Sequence, residues 1–197
     1  MKEIKRKEIK RNEKKRNTME SYNAVLQYLF IGSNDALDME PDIPFHFIVN
    51  CTVDIPFPKY PIEKQLRIPI EDTEEDNVKF LEMMLYTNVF EKIHTCILEK
   101  KKVLVYCENG NQRSCSLVVC FLIKYLDVLP YQAINLVCNT RNSAFKDGNN
   151  FINTVKYFYQ YLQVKKKNKV EKQKIESESQ KIDENKKERL GPRIQPI

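Results

Sequence analysis

Two hydrophobic rhythms alternate between residues 22 and 162. Short runs rich in Ile, Val, Phe and Tyr occur at Leu26 to Ile31, Phe45 to Asn50, Leu66 to Ile70 and Lys102 to Tyr106. Branched and aromatic side chains fit a pleated surface, so these runs predict strands. From Val78 to Ile97 the period changes. Val78, Leu81, Leu85, Val89, Ile93 and Ile97 follow the three- and four-residue spacing of one helix face. Residues Ser116 to Leu126 are apolar nearly all round, which predicts a centrally buried helix. Pro130 suits the first turn of a further helix, and Phe151, Val155, Phe158, Tyr159 and Leu162 trace the stripe of a last one. Strands alternating with helices imply an α/β layer sandwich. No internal repeat interrupts the pattern.

Composition changes the picture mainly at the ends. The 197 residues suit one globular domain, here 20 to 164, with tails. Residues 1–19 hold nine Lys/Arg against three acidic residues, and residues 165–197 hold eleven against six. The middle carries the remaining charge, thirteen basic and eighteen acidic side chains. Lys-rich ends with few apolar residues bury too little surface to offset chain entropy, so both are expected to be disordered. The run KEIKRKEIKRNEKKR reads as a solvated tail or, on a functional reading, as a nuclear address or a weak contact for polyanions. No run approaches the roughly 18 apolar residues of a membrane span, and the N-terminus lacks the apolar core of a secretory signal. The expectation is a soluble intracellular protein, cytoplasmic with the nucleus open to it.

Six cysteines, Cys51, Cys96, Cys107, Cys115, Cys120 and Cys138, form no zinc spacing and no disulfide framework for a chain this long. They are expected as reduced thiols, mostly packed as small hydrophobes. His46 and His94 have no second His at helical spacing, so no metal site is expected. Arg141 supports the floor of the site or lies on the surface, and the sequence leaves both open.

The chemistry concentrates in KKVLVYCENGNQRSCSLVVCFLI, a β-branched run, a polar loop and an apolar helix. In such a strand, loop and helix, backbone N–H groups converge and bind a doubly charged phosphate without needing many side chains. Gly110 lets the backbone turn tightly. The same dipoles favour a thiolate, the nucleophilic form of a cysteine. Arg113 adds a planar fork suited to two phosphoryl oxygens.

Cys107-Glu-Asn-Gly110-Asn-Gln-Arg113-Ser114 resembles the C-x-x-G-x-x-R-S loop of the cysteine phosphatase superfamily. RIPIEDTEEDNV resembles the general-acid loop of its dual-specificity branch, YLFIGS and FIVNCT its opening strands, and Ala133 to Phe151 the helix and loop after its active site. The resemblance covers roughly residues 22 to 162. It implies a protein tyrosine phosphatase-like fold, with a central mixed, mostly parallel sheet flanked by helices. It also implies two-step hydrolysis of phosphotyrosine and of phosphoserine or phosphothreonine in phosphoproteins, with no metal or cofactor. Cys107 would be the nucleophile, Asp72 the general acid, and Ser114 a donor to the departing sulfur. Glu108, Asn109, Gly110, Asn111, Gln112 and Arg113 would form the phosphate cradle. Glu71, Glu74, Glu75 and Asp76 compete with Asp72.

Two positions depart from the family pattern. Tyr106 stands where His is usual, and Tyr brings no positive charge at neutral pH. Gln112 stands where a small Ser or Ala is frequent and is expected to reshape the pocket. Tyr106 motivates an alternative reading, a weak or inactive phosphatase-like module that binds phosphoproteins. RNA 5′-triphosphate is a further alternative, favoured by the basic ends and opposed by the acidic middle. The absence of Lys from the loop disfavours phosphoinositides.

Overall fold

The structure is a computed structural model that describes residues 21–37, 45–146 and 148–190, with side chains to 181. The expected disordered N-terminal tail, residues 1–19, lies outside the described residues, as do residues 191–197. The chain divides into two units, one ending at Tyr159 and one beginning at Gln160.

The first unit is built on a five-stranded mixed sheet. Its strands are β1 (Tyr22–Leu26), β2 (Leu29–Gly32), β3 (Phe47–Asn50), β4 (Gln65–Arg67) and β5 (Val103–Tyr106), in the order β1-β2-β5-β3-β4. Only β1 runs antiparallel, against β2. The pairs β2 with β5, β5 with β3, and β3 with β4 are parallel. Parallel strands in such a sheet are covered on both faces, and β5 is accordingly buried at every position. The helices are α1 (Asn77–Tyr86), α2 (Val89–Leu98), α3 (Arg113–Leu126), α4 (Pro130–Thr140) and α5 (Ile152–Leu190).

Three sequence expectations are corrected. The run from Leu26 to Ile31 is not one strand but the turn of a hairpin, because Gln27 and Tyr28 reverse the chain between β1 and β2. The single helix expected from Val78 to Ile97 is two, broken at Asn88, whose φ of 52° lies in the left-handed region that Asn tolerates. Thr87 Oγ1 helps end the first by donating to Met83 O at 2.7 Å. The buried face is then set by Phe80, Met84, Val89, Phe90 and Ile93, while Val78 is exposed. Residues 165–190, expected to be disordered, are helical within α5. Lys, Glu and Gln are good helix formers, and the pair Lys172–Glu176 adds local support. In the second unit the side chains from Lys165 to Lys181 are all exposed.

Helix α3 is the axis of the first unit. Every residue from Arg113 to Ile123 is buried, as its all-round apolar sequence requires. Phe158 is fully buried and packs on Phe90 with ring centroids 4.9 Å apart. Phe158→Ala should destabilise the fold by about 3–5 kcal/mol, read as a lower midpoint in urea unfolding. Deleting residues 165–197 should leave that midpoint nearly unchanged, because the side chains described there cover no core.

Candidate active site

The end of β5 delivers the chain into a loop whose peptide groups share one orientation. Glu108 O accepts from Asn34 N–H at 3.1 Å, Asn111 O from Phe145 N–H at 2.9 Å, and Gln112 O from Ser116 N–H at 2.9 Å. Between them, Arg141 takes the other two carbonyls: Nη2 donates to Asn109 O at 3.1 Å and Nε to Gly110 O at 2.7 Å. All five successive carbonyls, 108 to 112, thus point outward to partners. In a planar trans peptide the N–H points opposite to the C=O, so the N–H groups of residues 109 to 113 face the hollow of the loop. That hollow lies at the N-terminus of α3, where partial positive charge accumulates.

Gly110 is required for this course. Its φ is 68°, and a Cβ there would lie 2.6 Å from the carbonyl carbon and oxygen of Gly32 and 2.7 Å from Arg141 Nη2. Arg141 is buried, 5 % exposed, and also donates to Asn23 Oδ1 at 2.8 Å. Of the two roles the sequence leaves open, Arg141 therefore holds the floor of the loop.

Cys107 is buried, with its Sγ 3.3 Å from Ser114 Oγ. Two other buried thiols lie near it. Burial pushes both Cys51 and Cys115 well up, so these thiols stay neutral. Arg113, 4 % exposed, is anchored by Nη1 donating to Ile70 O at 3.0 Å. Its Nη2 lies 3.4 Å from Asp72 Oδ2 and 3.6 Å from Glu108 Oε2, and its Nε has no partner. Nε and Nη2 share one edge of the guanidinium, the edge that grips two oxygens of an oxyanion. An orphaned, buried N–H on that edge fits a ligand of this kind.

The structure therefore brings Cys107, Ser114, Arg113 and Asp72 together, with residues 108–112 forming the cradle. Among the competing acids, Asp76 caps the acid loop by accepting Glu71 N–H at 2.8 Å and pairs with Lys79 at 3.0 Å. Glu71, Glu74 and Glu75 are exposed. Gln112 is buried and its amide reaches sideways to Gly148 O. Asn150, which carries no sequence signal of its own, donates to Asp72 O at 3.0 Å and to Asp72 Oδ1 at 3.1 Å. Tyr106 points away from the hollow into a cluster of Ala36, Leu37, Phe45, Ile48 and Leu104. Its hydroxyl has no hydrogen-bond partner, and burial pushes its ionisation well up, so it is a neutral phenol. Asn50 lies alongside, but its amide is bound to Ile55 O and its oxygen to Thr52.

With a strand, a loop of outward carbonyls closed by arginine, a buried helix and Asp72 beside that arginine all in place, the chain belongs to the family described as the dual specificity phosphatase catalytic domain, whose model matches residues 28–161. Among characterised proteins it is similar to human dual specificity protein phosphatase 14, with 29% identity over 90 residues, 46% of this chain and 43% of that protein. The match thus spans less than half of that relative's length. Its fold is similar to that of human DUSP28, with a TM-score of 0.64 and 23% identity, over 73% of this chain and 95% of that one. It is also similar to the human tyrosine phosphatase-like serine/threonine/tyrosine-interacting protein, with a TM-score of 0.57 and 18% identity, over 74% and 99%.

Gly110→Ala should collapse the hollow. The expected outcome is at least a tenfold weaker affinity for inorganic phosphate by calorimetry and a stability loss of about 1–3 kcal/mol, read from chemical unfolding.

Proposed function

We propose that this chain is a cysteine-dependent protein phosphatase, hydrolysing phosphotyrosine and also phosphoserine and phosphothreonine through a cysteinyl-phosphate intermediate. The observation that carries the reading is the set of five outward carbonyls, which aims the loop's amides at an anion beside Cys107. In the first step the Cys107 thiolate attacks phosphorus while Arg113 Nε and Nη2 hold two phosphoryl oxygens. The bond from phosphorus to the leaving oxygen breaks, and Asp72 gives that oxygen its proton. Water then attacks phosphorus, Asp72 takes the proton back, and the sulfur departs with a hydrogen bond from Ser114. Inward amides and one guanidinium act on charge that builds at the transferring group, where fixed dipoles are worth most.

Charge around the mouth supports a phosphoprotein over a polyanion. The loops following β2, β3, β4 and β5 sit at the same end of the sheet because those strands are parallel. They carry Asp35, Asp54, Glu71, Glu74, Glu75 and Glu108, all exposed. An RNA 5′-triphosphate would meet this rim as a like charge. The second reading, a module that binds phosphoproteins without turning them over, rests on Tyr106, which leaves the loop without an imidazole. An intracellular setting follows from the thiolate chemistry, since a free nucleophilic cysteine needs reducing surroundings.

Hydrolysis of a phosphotyrosine peptide should vanish in Cys107→Ser and fall about 10³-fold in Arg113→Ala. Asp72→Asn should slow it about 10²-fold. Equal rates for wild type and Cys107→Ser on this peptide would eliminate the enzyme and leave the binding module. A separate measurement bears on Tyr106. Tyr106→His should raise kcat while lowering the thermal midpoint, because a smaller, polar ring leaves the apolar cluster underfilled. A kcat that does not rise would remove the imidazole argument.

A further inference from the structure

The acid Asp72 sits on a loop and is 35% exposed, so its side chain needs something to hold it over the phosphate loop. That support comes from residues 148 to 150. One Asn150 amide nitrogen donates to both the main-chain oxygen and Oδ1 of Asp72, at 3.0 and 3.1 Å. Gripping the backbone and the carboxyl of one residue together fixes its side-chain torsion as well as its position. Oδ1 is thereby held by an N–H, which turns Oδ2 toward Arg113 at the phosphate loop.

Asn150 is held in turn. Its carbonyl accepts from Asn77 Nδ2 at 2.6 Å, and Asn77 is buried at 4% exposure. Asn77 Oδ1 accepts both the N–H and the hydroxyl of Thr154 at 2.7 Å, and Thr154 is fully buried. Two residues before Asn150, Gly148 O accepts the side-chain amide of Gln112 from the phosphate loop. The segment is therefore tied at one end to the cradle and at the other to the starts of α1 and α5. Gln112, unusually large for its place, spans the gap a Ser or Ala could not.

We infer that Gln112, Gly148 and Asn150 form a strap that sets the Asp72 carboxyl in its proton-donating position before substrate arrives. Gln112 and Asn150 are positioning residues: they act through Asp72 and not on the phosphoryl group. The inference rests on the phosphatase reading above. It adds that the readiness of the acid is coupled to the cradle through side chains that touch no substrate.

The test compares two esters, phenyl phosphate, whose leaving oxygen needs a proton, and a difluorinated methylumbelliferyl phosphate, whose leaving oxygen does not. Asn150→Ala should lower kcat on phenyl phosphate about tenfold, with KM and the rate on the fluorinated ester within about twofold of wild type. Gln112→Ala, at a residue of the cradle itself, should lower both rates, and phenyl phosphate about threefold more than the fluorinated ester. In an Asp72→Asn background, adding Asn150→Ala should cost nothing further on phenyl phosphate. Asn150→Ser, small and neutral, repeats the comparison should the Ala variant fail to fold. With an active wild type, equal losses on both esters, or losses that add fully to Asp72→Asn, would overturn the strap alone. A wild type no faster than Cys107→Ser on the fluorinated ester would overturn the phosphatase reading and the strap with it.

Discussion

The orientation of five peptide groups governs the site. An extended chain alternates its carbonyls, and turning five in succession outward concentrates N–H dipoles that repel one another at the centre. The cost is met by giving each carbonyl a partner, since a buried oxygen without one costs about 1–3 kcal/mol. Arg141 supplies two of those partners from a buried guanidinium, a charged donor whose hydrogen bonds are stronger than neutral ones. Arg113 is buried to a similar degree and does the opposite. Its Nη1 is anchored, while its Nε is left without a partner. Two arginines thus differ in their engagement: Arg141 uses its nitrogens to hold the loop's shape, while Arg113 is anchored through Nη1 and keeps one buried N–H, Nε, without a partner.

Tyr106 shows what that arrangement does and does not need. The phenol lies on the opposite side of β5 from the hollow, as the alternation of a strand demands, and fills an apolar cluster. It contributes packing where an imidazole would contribute a polar group and charge. The outward carbonyls do not depend on it, since none of their partners comes from residue 106. The Cys107 sulfur is faced by Ser114 Oγ and lies beside the loop amides and Arg113, while neighbouring Cys51 and Cys115 are kept neutral by burial.

What could be read in the sequence was local. The order of β5, loop and α3 is continuous in the chain, so Cys107, Gly110, Arg113 and Ser114 announced themselves by spacing. The hairpin of β1 and β2 did not, because Gln27 and Tyr28 carry none of the usual turn residues and leave an apolar run unbroken. The break between α1 and α2 rests on one Asn in a left-handed conformation, which leaves the apolar period on both sides intact. Asp72 stands out only through the resemblance of its loop, and its partner Asn150 is 78 residues away. An asparagine that binds a carboxylate looks in sequence like any loop asparagine. Arg141 stayed ambiguous for the same reason, its partners lying 31 and 32 residues upstream.

Gly32 ties these distant pieces to one event. It ends β2, pairs with Tyr22 in β1 and with Tyr106 in β5, accepts from Cys107 N–H at 3.4 Å, and packs bare against Gly110. In the folded chain the loop's shape therefore rests on the N-terminal hairpin as well as on its own residues. Contacts so distant in sequence carry a loop-closure entropy that the rest of the fold must offset. An oxyanion bound between Cys107 and Arg113 would in consequence stabilise the hairpin and the sheet together, by mass action.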